Sequence, residues 1–379
     1  MSETLLFSLK KGITSPTFIA TADIHLGKRL YNEPELEEDL RDNLSRLVDL
    51  AIQKKVKYVV EAGDTFEDNF PKPHIVAFVS NQVQKLKNEG IQMIGIAGDH
   101  DKPLKNEAWY RIAGIVPVST IPEFAGFDYF DYSSVDEAEL IRLLKDGDKD
   151  TDKVLWVVLH CQFPQVYNLS EPKKIIDFNK LNLFEHFPNL QGIIAGDLHF
   201  GPETRAYGVG HEAYVGYPGS LGQTDIGEAA DFRRVFYCDG HKLQSIPFKQ
   251  RRKMIRIDFR DPNVENFDVS EYMAICRAEK YKPVLHIAWD RTSEKFMHKV
   301  FPLYEVAIVH PYKLPVGADF SSLTLTDREE VSTEIKIEKA LRDCFRKEHD
   351  EDMIQFSLGL ITSADPKSLL DEFKSKYTL

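Results

Sequence analysis

Five apolar runs in this chain end in acids and histidines, and these are the residues whose types and spacing could do chemistry. Residues 17–22 lead into Asp23-Ile24-His25. Residues 56–62 lead into Gly63-Asp64, and residues 91–97 into Gly98-Asp99-His100-Asp101. Residues 154–159 lead into His160, and residues 192–195 into Gly196-Asp197-Leu198-His199. Hard divalent cations take carboxylate oxygens, and Mn²⁺ also accepts imidazole. A carboxylate such as that of Asp64 can bridge two ions about 4 Å apart, and such a pair clamps a phosphate oxygen and yields a hydroxide near neutral pH. His100, directly after Asp99, is placed to supply the proton that the leaving oxygen needs.

Each residue taken singly has a plainer reading. A Gly-Asp after a strand is usually a turn, and a histidine ending an apolar run is usually a satisfied edge residue. His310 illustrates the second case: it ends the run 306–309 with no acid beside it and is left out of the site. The coincidence of five such ends points to a two-metal site.

The elements needed to position these residues follow from the flanking pattern. A short apolar run closing on a turn residue reads as a buried strand, and in open α/β sheets function gathers at the carboxyl ends of parallel strands. Five parallel strands would therefore bring the acids and imidazoles to one edge. Residues 35–54 carry Leu36, Leu40, Leu44, Leu47, Val48 and Ala51 at helical spacing, and residues 73–88 carry Ile75, Val79, Val83 and Leu86. Each helix serves as a right-handed crossover between strands. The aromatic stretch 124–132 suggests a strand pair, followed by a helix near 136–145. Segments 213–217, 233–238 and 242–248 suggest a second sheet packed on the first.

Beyond residue 250 the pattern restarts, with strands at 254–259, 283–289 and 304–310 and helices at 269–280 and 293–300, as in a separate small α/β unit. Residues 313–326 read as a polar linker. The tail from 327 reads as helices with Ile335, Ile337, Ala340, Leu341 and Phe345 on one face, to be covered by a partner or by the chain itself.

A chain of 379 residues with 42% apolar content is globular and long enough for two or three units. No apolar stretch approaches the roughly 20 residues that span a bilayer, and the first residues show no cleavable signal pattern. A soluble, intracellular protein is expected. The four cysteines are far apart and read as reduced thiols. The net charge of −12 speaks against a general nucleic-acid coat protein but does not exclude a nuclease. The basic cluster 249–253 reads first as a solvated linker and second as a contact for a phosphate backbone.

The motif series Asp23-Ile24-His25, Gly63-Asp64-Thr65-Phe66-Glu67, Gly98-Asp99-His100-Asp101, His160 and Gly196-Asp197-Leu198-His199, with Tyr217-Pro218-Gly219-Ser220 behind it, resembles the calcineurin-like metallophosphoesterases. Within them it is most similar to SbcD-type nucleases, the partners of SbcC-type ATPases. The resemblance covers residues 17 to about 222. It implies an α/β fold: a two-sheet metallophosphoesterase sandwich flanked by helices, with a small α/β capping domain and a helical C-terminal tail. The corresponding divisions are a nuclease domain at 1–250, the capping domain at 251–312, and a linker with ATPase-binding helices at 313–379.

The resemblance further implies two divalent cations, Mn²⁺ ahead of Mg²⁺. One would be held by Asp23, His25, Asp64 and His199, the other by Asp64, Asp99, His160 and Asp197, with His100 stabilising the transition state or protonating the leaving group. It implies double-strand exonuclease and single-strand endonuclease action on DNA, an SbcC-like ATPase partner bound through the C-terminal helices, and a homodimer. Asp99 stands where the family has Asn, Asp197 where it has His, and Glu67 where these nucleases often carry His. The first two changes make the second ion's shell richer in oxygen and more negative. A phosphodiesterase for small molecules and a non-catalytic assembly subunit are the competing readings.

Overall fold

The computed structural model describes residues 4–102, 108–129, 131–145, 149–167, 174–208, 211–225, 228, 233–260 and 266–313. Two sheets lie face to face. The first holds β1 (Thr4–Ser8), β2 (Phe18–Thr21), β3 (Tyr58–Glu61), β4 (Gln92–Gly95), β5 (Val116–Pro117), β11 (Arg234–Cys238) and β12 (Lys242–Pro247), in the order β1-β12-β11-β2-β3-β4-β5. The second holds β6 (Phe124–Gly126), β7 (Trp156–His160), β8 (Gly192–Gly196), β9 (Glu203–Gly208) and β10 (His211–Gly216), in the order β6-β7-β8-β10-β9. Strands β2 to β5 are mutually parallel, as are β6, β7, β8 and β10.

Side chains alternate across each strand, so each sheet feeds two cores. Phe18, Ala20, Val60 and Ile94 face Phe124, Trp156, Val158 and Ile194 between the sheets. Ile19, Val59 and Met93, on the opposite face of the first sheet, pack against helices α1 (Pro34–Lys54) and α2 (Pro73–Asn88) through Leu44, Leu47, Val79 and Leu86. Both helices open with Pro near their first position, where its fixed φ and missing N–H cost nothing.

The arrangement corrects three expectations. The five ligand-bearing strand ends do not share one sheet: β2, β3 and β4 belong to the first, β7 and β8 to the second. The chain leaves the first sheet after the two-residue β5, where Pro117 lacks a donor for further pairing. Strands β11 and β12, expected in the second sheet, pair instead beside β2, with Phe236 opposite Ala20. Alternation identifies a strand's buried face but not the edge it pairs with. Among its described residues the aromatic stretch 124–132 shows one strand, Phe124–Gly126, where a pair was expected. Tyr129 and Tyr132 pack edge-to-face on each other, and Tyr129 on the His160 ring.

The later residues form a third, parallel sheet of β13 (Met254–Asp258), β14 (Val284–Trp289) and β15 (Ile308–Lys313). Its own core includes Ile257, Cys276, Leu285, Ile287 and Leu303, drawn from the strands, from the helix Val269–Ala278 and from a 3₁₀ stretch, Glu294–Glu305. That stretch replaces the expected α-helix at 293–300; it carries Pro302, and the following strand starts only at Ile308. The basic cluster is solvated only in part: Lys249 and Lys253 are exposed, while its two arginines are packed. Arg252 is buried and pairs with Asp39 and Glu35 of α1, while Arg251 lies over the Tyr281 ring. The expected tail helices lie outside the described residues. Among the described residues no helix is long and apolar enough to cross a membrane.

Tyr31 joins the third sheet to the loop that leaves His25. Its hydroxyl lies 3.0 Å from His286 Nδ1, and its ring stacks on His310 at 3.7 Å. Burial, with the nearby charges of His310 and Arg256, holds His286 down to about 3, and burial holds His310 down to about 4. Unfolded histidines protonate near 6.5. A folded pKa below the unfolded one gives stability that is present above about pH 6.5 and is lost as pH falls toward the folded value. Urea melts are expected to show a decline in stability from about pH 6.5 to 5 to which His286 contributes. His286→Gln should make that decline shallower; equal slopes in the two proteins would contradict the assignment.

Candidate metal centre

Residues leaving β2 and β3 turn sharply rather than continuing extended. Asp23 and His25 have φ of 51° and 50°, Asp64 has 61°, and Asp197, after β8, has 89°. A left-handed conformation costs a non-glycine residue roughly 1–2 kcal/mol, so the structure must hold these four. Backbone bonds hold the first three, Asp23 N–H to Gly63 O at 3.0 Å, His25 N–H to Asp64 O at 2.9 Å and Leu26 N–H to Thr65 O at 3.0 Å, while Asp197 N–H donates to the Asp23 carboxylate at 3.0 Å. Asp23 and His25 therefore come together through two left-handed residues bracketing buried Ile24, and not through alternation along an extended exit.

Glycine is required beside two of the ligands. At Gly63, with φ of 99°, a Cβ would collide with the His160 ring. At Gly98 it would collide with the Asp64 carboxylate. The Gly-Asp pairs are thus demanded by close approach between loops of different strands, beyond their use as turns.

All seven residues expected as ligands converge, in overlapping groups. Asp23, His25 and His199 form one, Asp99, His160 and Asp197 another, and Asp64 joins groups with Asp23 and His160 and with His25 and His100. The Asp64 carboxylate lies 3.7 Å from His25 Nε2 and 3.3 Å from His160 Nε2. His25 and His199 present their Nε2 atoms to each other at 3.2 Å. His160 Nε2 is also 3.3 Å from Asp99 and 3.9 Å from Asp197. His100 sits at the exposed mouth, with its ring centroid 4.8 Å from that of His25.

The imidazoles are oriented from behind. His160 Nδ1 meets the Ala62 carbonyl at 2.9 Å, which fixes its proton there and leaves Nε2 to face the acids. His25 Nδ1 lies 2.8 Å from Glu67, and His199 Nδ1 lies 2.5 Å from Glu228. Burial would raise both carboxyls, but their histidine partners outweigh it and hold Glu67 and Glu228 down to about 2. Burial lowers His199 while Glu228 raises it more, to about 9. His160 is held well above its usual value by Asp64, Asp99 and Asp23 against its burial.

Two further acids, Glu61 and Asp101, are buried behind the loops. Glu61 accepts from Gly63 N–H and the Thr65 hydroxyl, and Asp101 from Gly98 and Phe66 N–H. Burial, then the neighbouring negative charges, pushes Asp101 up to about 7 and raises Glu61 as well. These acids brace the ligand loops.

Sequence reasoning flagged Glu67 only as a departure from a pattern, and it missed Glu228, Lys174 and Gln162. Lys174 Nζ lies 2.8 Å from Asp99 and 2.6 Å from Asp197, and Gln162 donates to Asp197 at 2.5 Å. None of the three belongs to a local motif; each acts through a partner far along the chain, as Glu228 on His199 and Gln162 and Lys174 on Asp197.

The donor set fits a divalent cation. Asp23 Oδ2 and His160 Nε2 are buried with no hydrogen-bond partner, a costly state that a cation relieves. Two facing sheets bring carboxylates and imidazoles together at their shared carboxyl end, an arrangement that can hold a divalent cation.

No family model matches the chain. The chain is 40% identical over 89 residues to the DNA double-strand break repair protein Mre11 of Sulfolobus acidocaldarius, a match covering 24% of this chain and 23% of that one. It is 23% identical to the protein of the same name from Archaeoglobus fulgidus over 69% of this chain and 66% of that one. Among solved structures, the protein TT1561 of Thermus thermophilus is 12% identical with a TM-score of 0.41, covering 62% of this chain and all of that one. The chain is similar to these Mre11 proteins over part of its length, and it spans about a quarter of the length of the first of the curated relatives it matches.

Partners that orient a metal-bound histidine typically contribute 10- to 100-fold in affinity. Glu228→Gln is therefore expected to weaken Mn²⁺ binding by about that factor in calorimetric titration, with the fold retained by circular dichroism. Unchanged affinity would mean that His199 does not bind metal.

Proposed function

We propose that the chain is a divalent-metal-dependent DNA nuclease that acts with an SbcC-like ATPase. The observation that carries the reading is the convergence of Asp23, His25, Asp64 and His199 from two sheets, in a chain whose relatives bear a DNA break-repair name. Those four residues would hold the ion, Mn²⁺ ahead of Mg²⁺ because two of them are imidazoles. When bound, it would polarise a phosphate oxygen and acidify a water.

The chain's own residues supply the rest. His100 Nδ1 lies 3.0 Å from the Glu67 carbonyl oxygen, so Nδ1–H donates there and Nε2 is left toward the open side. An imidazolium at that position gives its Nε2 proton to the leaving oxygen. Glu67 steadies the site from both sides, pairing His25 Nδ1 at 2.8 Å and Lys28 at 3.1 Å. Tyr31 fastens the capping unit to the loop that leaves His25, which favours an extended substrate over a small ester. We assign the ATPase contact and dimer formation to surfaces beyond the described site, with the tail from residue 313 as the ATPase anchor and the cytoplasm as the place of action.

The purified protein is expected to degrade linear DNA in Mn²⁺, alone or with its ATPase. Asp64→Ala should abolish cleavage. His100→Gln should lower kcat by about 100-fold or more while KM and Mn²⁺ uptake stay near wild type. Hydrolysis of a small phosphodiester with no DNA cleavage under either condition would replace this reading with that of a small-molecule phosphodiesterase.

A further inference from the structure

The two halves of the metal centre are built differently. In the half formed by Asp23, His25 and His199, Asp23 Oδ2 is open and both imidazoles are backed by a carboxylate. In the half formed by Asp99, His160 and Asp197, His160 Nε2 is likewise without a hydrogen-bond partner and faces Asp64 at 3.3 Å, but a positive charge already lies between the two aspartates. Lys174 Nζ lies 2.6 Å from Asp197 and 2.8 Å from Asp99. Both Asp197 oxygens are engaged, since the other one accepts from Gln162 at 2.5 Å.

Lys174 is not a loose surface lysine that happens to reach inward. Its carbonyl accepts from Gln162 N–H at 2.7 Å, and the Ile176 N–H returns to the Gln162 carbonyl at 2.9 Å. This backbone pairing sets Lys174 beside the strand end that carries His160. Its side chain is 17% exposed. A desolvated ammonium between two carboxylates is a strong charge-assisted contact, and a second cation there would have to expel it against like-charge repulsion.

We infer that Lys174 stands in for the second metal ion. The centre takes one divalent cation, at Asp23, His25, Asp64 and His199, and the Lys174 ammonium supplies the other positive charge from the protein itself. This rests on the reading of the centre as metal-binding. Asp99 and Asp197 thereby act as lysine partners, and the shared ammonium offsets one of their two negative charges without an ion. An ammonium can hold a phosphate oxygen, but it cannot generate a hydroxide, so the attacking water must belong to the remaining ion.

The test counts metal in the full-length protein, with Mn²⁺ alone as the probe. Equilibrium dialysis at saturating Mn²⁺ should give one ion per chain for wild type and for Lys174→Arg, with the paramagnetic resonance spectrum of an isolated Mn²⁺. Lys174→Met removes the charge and keeps the stem; it should bind two ions per chain and show an exchange-coupled pair. Circular dichroism and thermal melts establish that each variant is folded, and Lys174→Gln serves should the Met variant fail. Two ions per wild-type chain, or a single ion in folded charge-neutral variants, would overturn the inference. No ion in any of the proteins would instead overturn the metal-dependent reading on which it rests.

Discussion

Carboxylates packed into a space from which water is largely excluded repel one another, and besides the Glu67 and Glu228 that back its imidazoles this centre holds Glu61, Asp64, Asp23, Asp99, Asp101 and Asp197. Such a cluster persists only with compensating positive charge, shared protons or both. The structure uses several forms. Glu61 and Asp101, away from the donors of the pocket, are braced by backbone and hydroxyl donors and have raised pKa values. Asp99 and Asp197 are paired with Lys174. Asp23 and Asp64 face histidines across an interior with unmet bonding capacity. The division of the acids into these three treatments defines where a cation belongs.

The fold serves that division by supplying ligands from both sheets. Because β2 and β3 come from one and β7 and β8 from the other, the pocket is enclosed by loops that are zipped backbone to backbone, as at Asp23–Gly63 and His25–Asp64. Left-handed conformations at Asp23, His25, Asp64 and Asp197 are local costs that the hydrophobic sandwich beneath offsets. Glu67 and Glu228 then limit how the imidazoles can turn, so the donors are oriented before a cation arrives.

Much of this was legible in the sequence. Strand ends carrying Asp or His stood out because apolar runs of four to eight residues stop there, and α2 is seen over the same residues, 73–88, that its periodicity marked. The assignment of strands to sheets was not legible, because alternation reports a buried face and not a pairing edge; β11 beside β2 is the clearest case. Nor was the tyrosine joint at Tyr31, which depends on histidines more than 250 residues away. Glu228 and Lys174 were hidden for the same reason: a supporting residue is identified by what it touches, and neither sits in a motif around the histidine or acids it serves.

The central claim is that donors from two sheets make one cation site with Asp64 at its middle. Anomalous diffraction from crystals equilibrated with Mn²⁺ tests it most directly. The account predicts a strong peak within coordination distance of Asp23, His25, Asp64 and His199. A Mn²⁺ peak elsewhere on this acidic chain, with nothing bound to those four side chains, would contradict it.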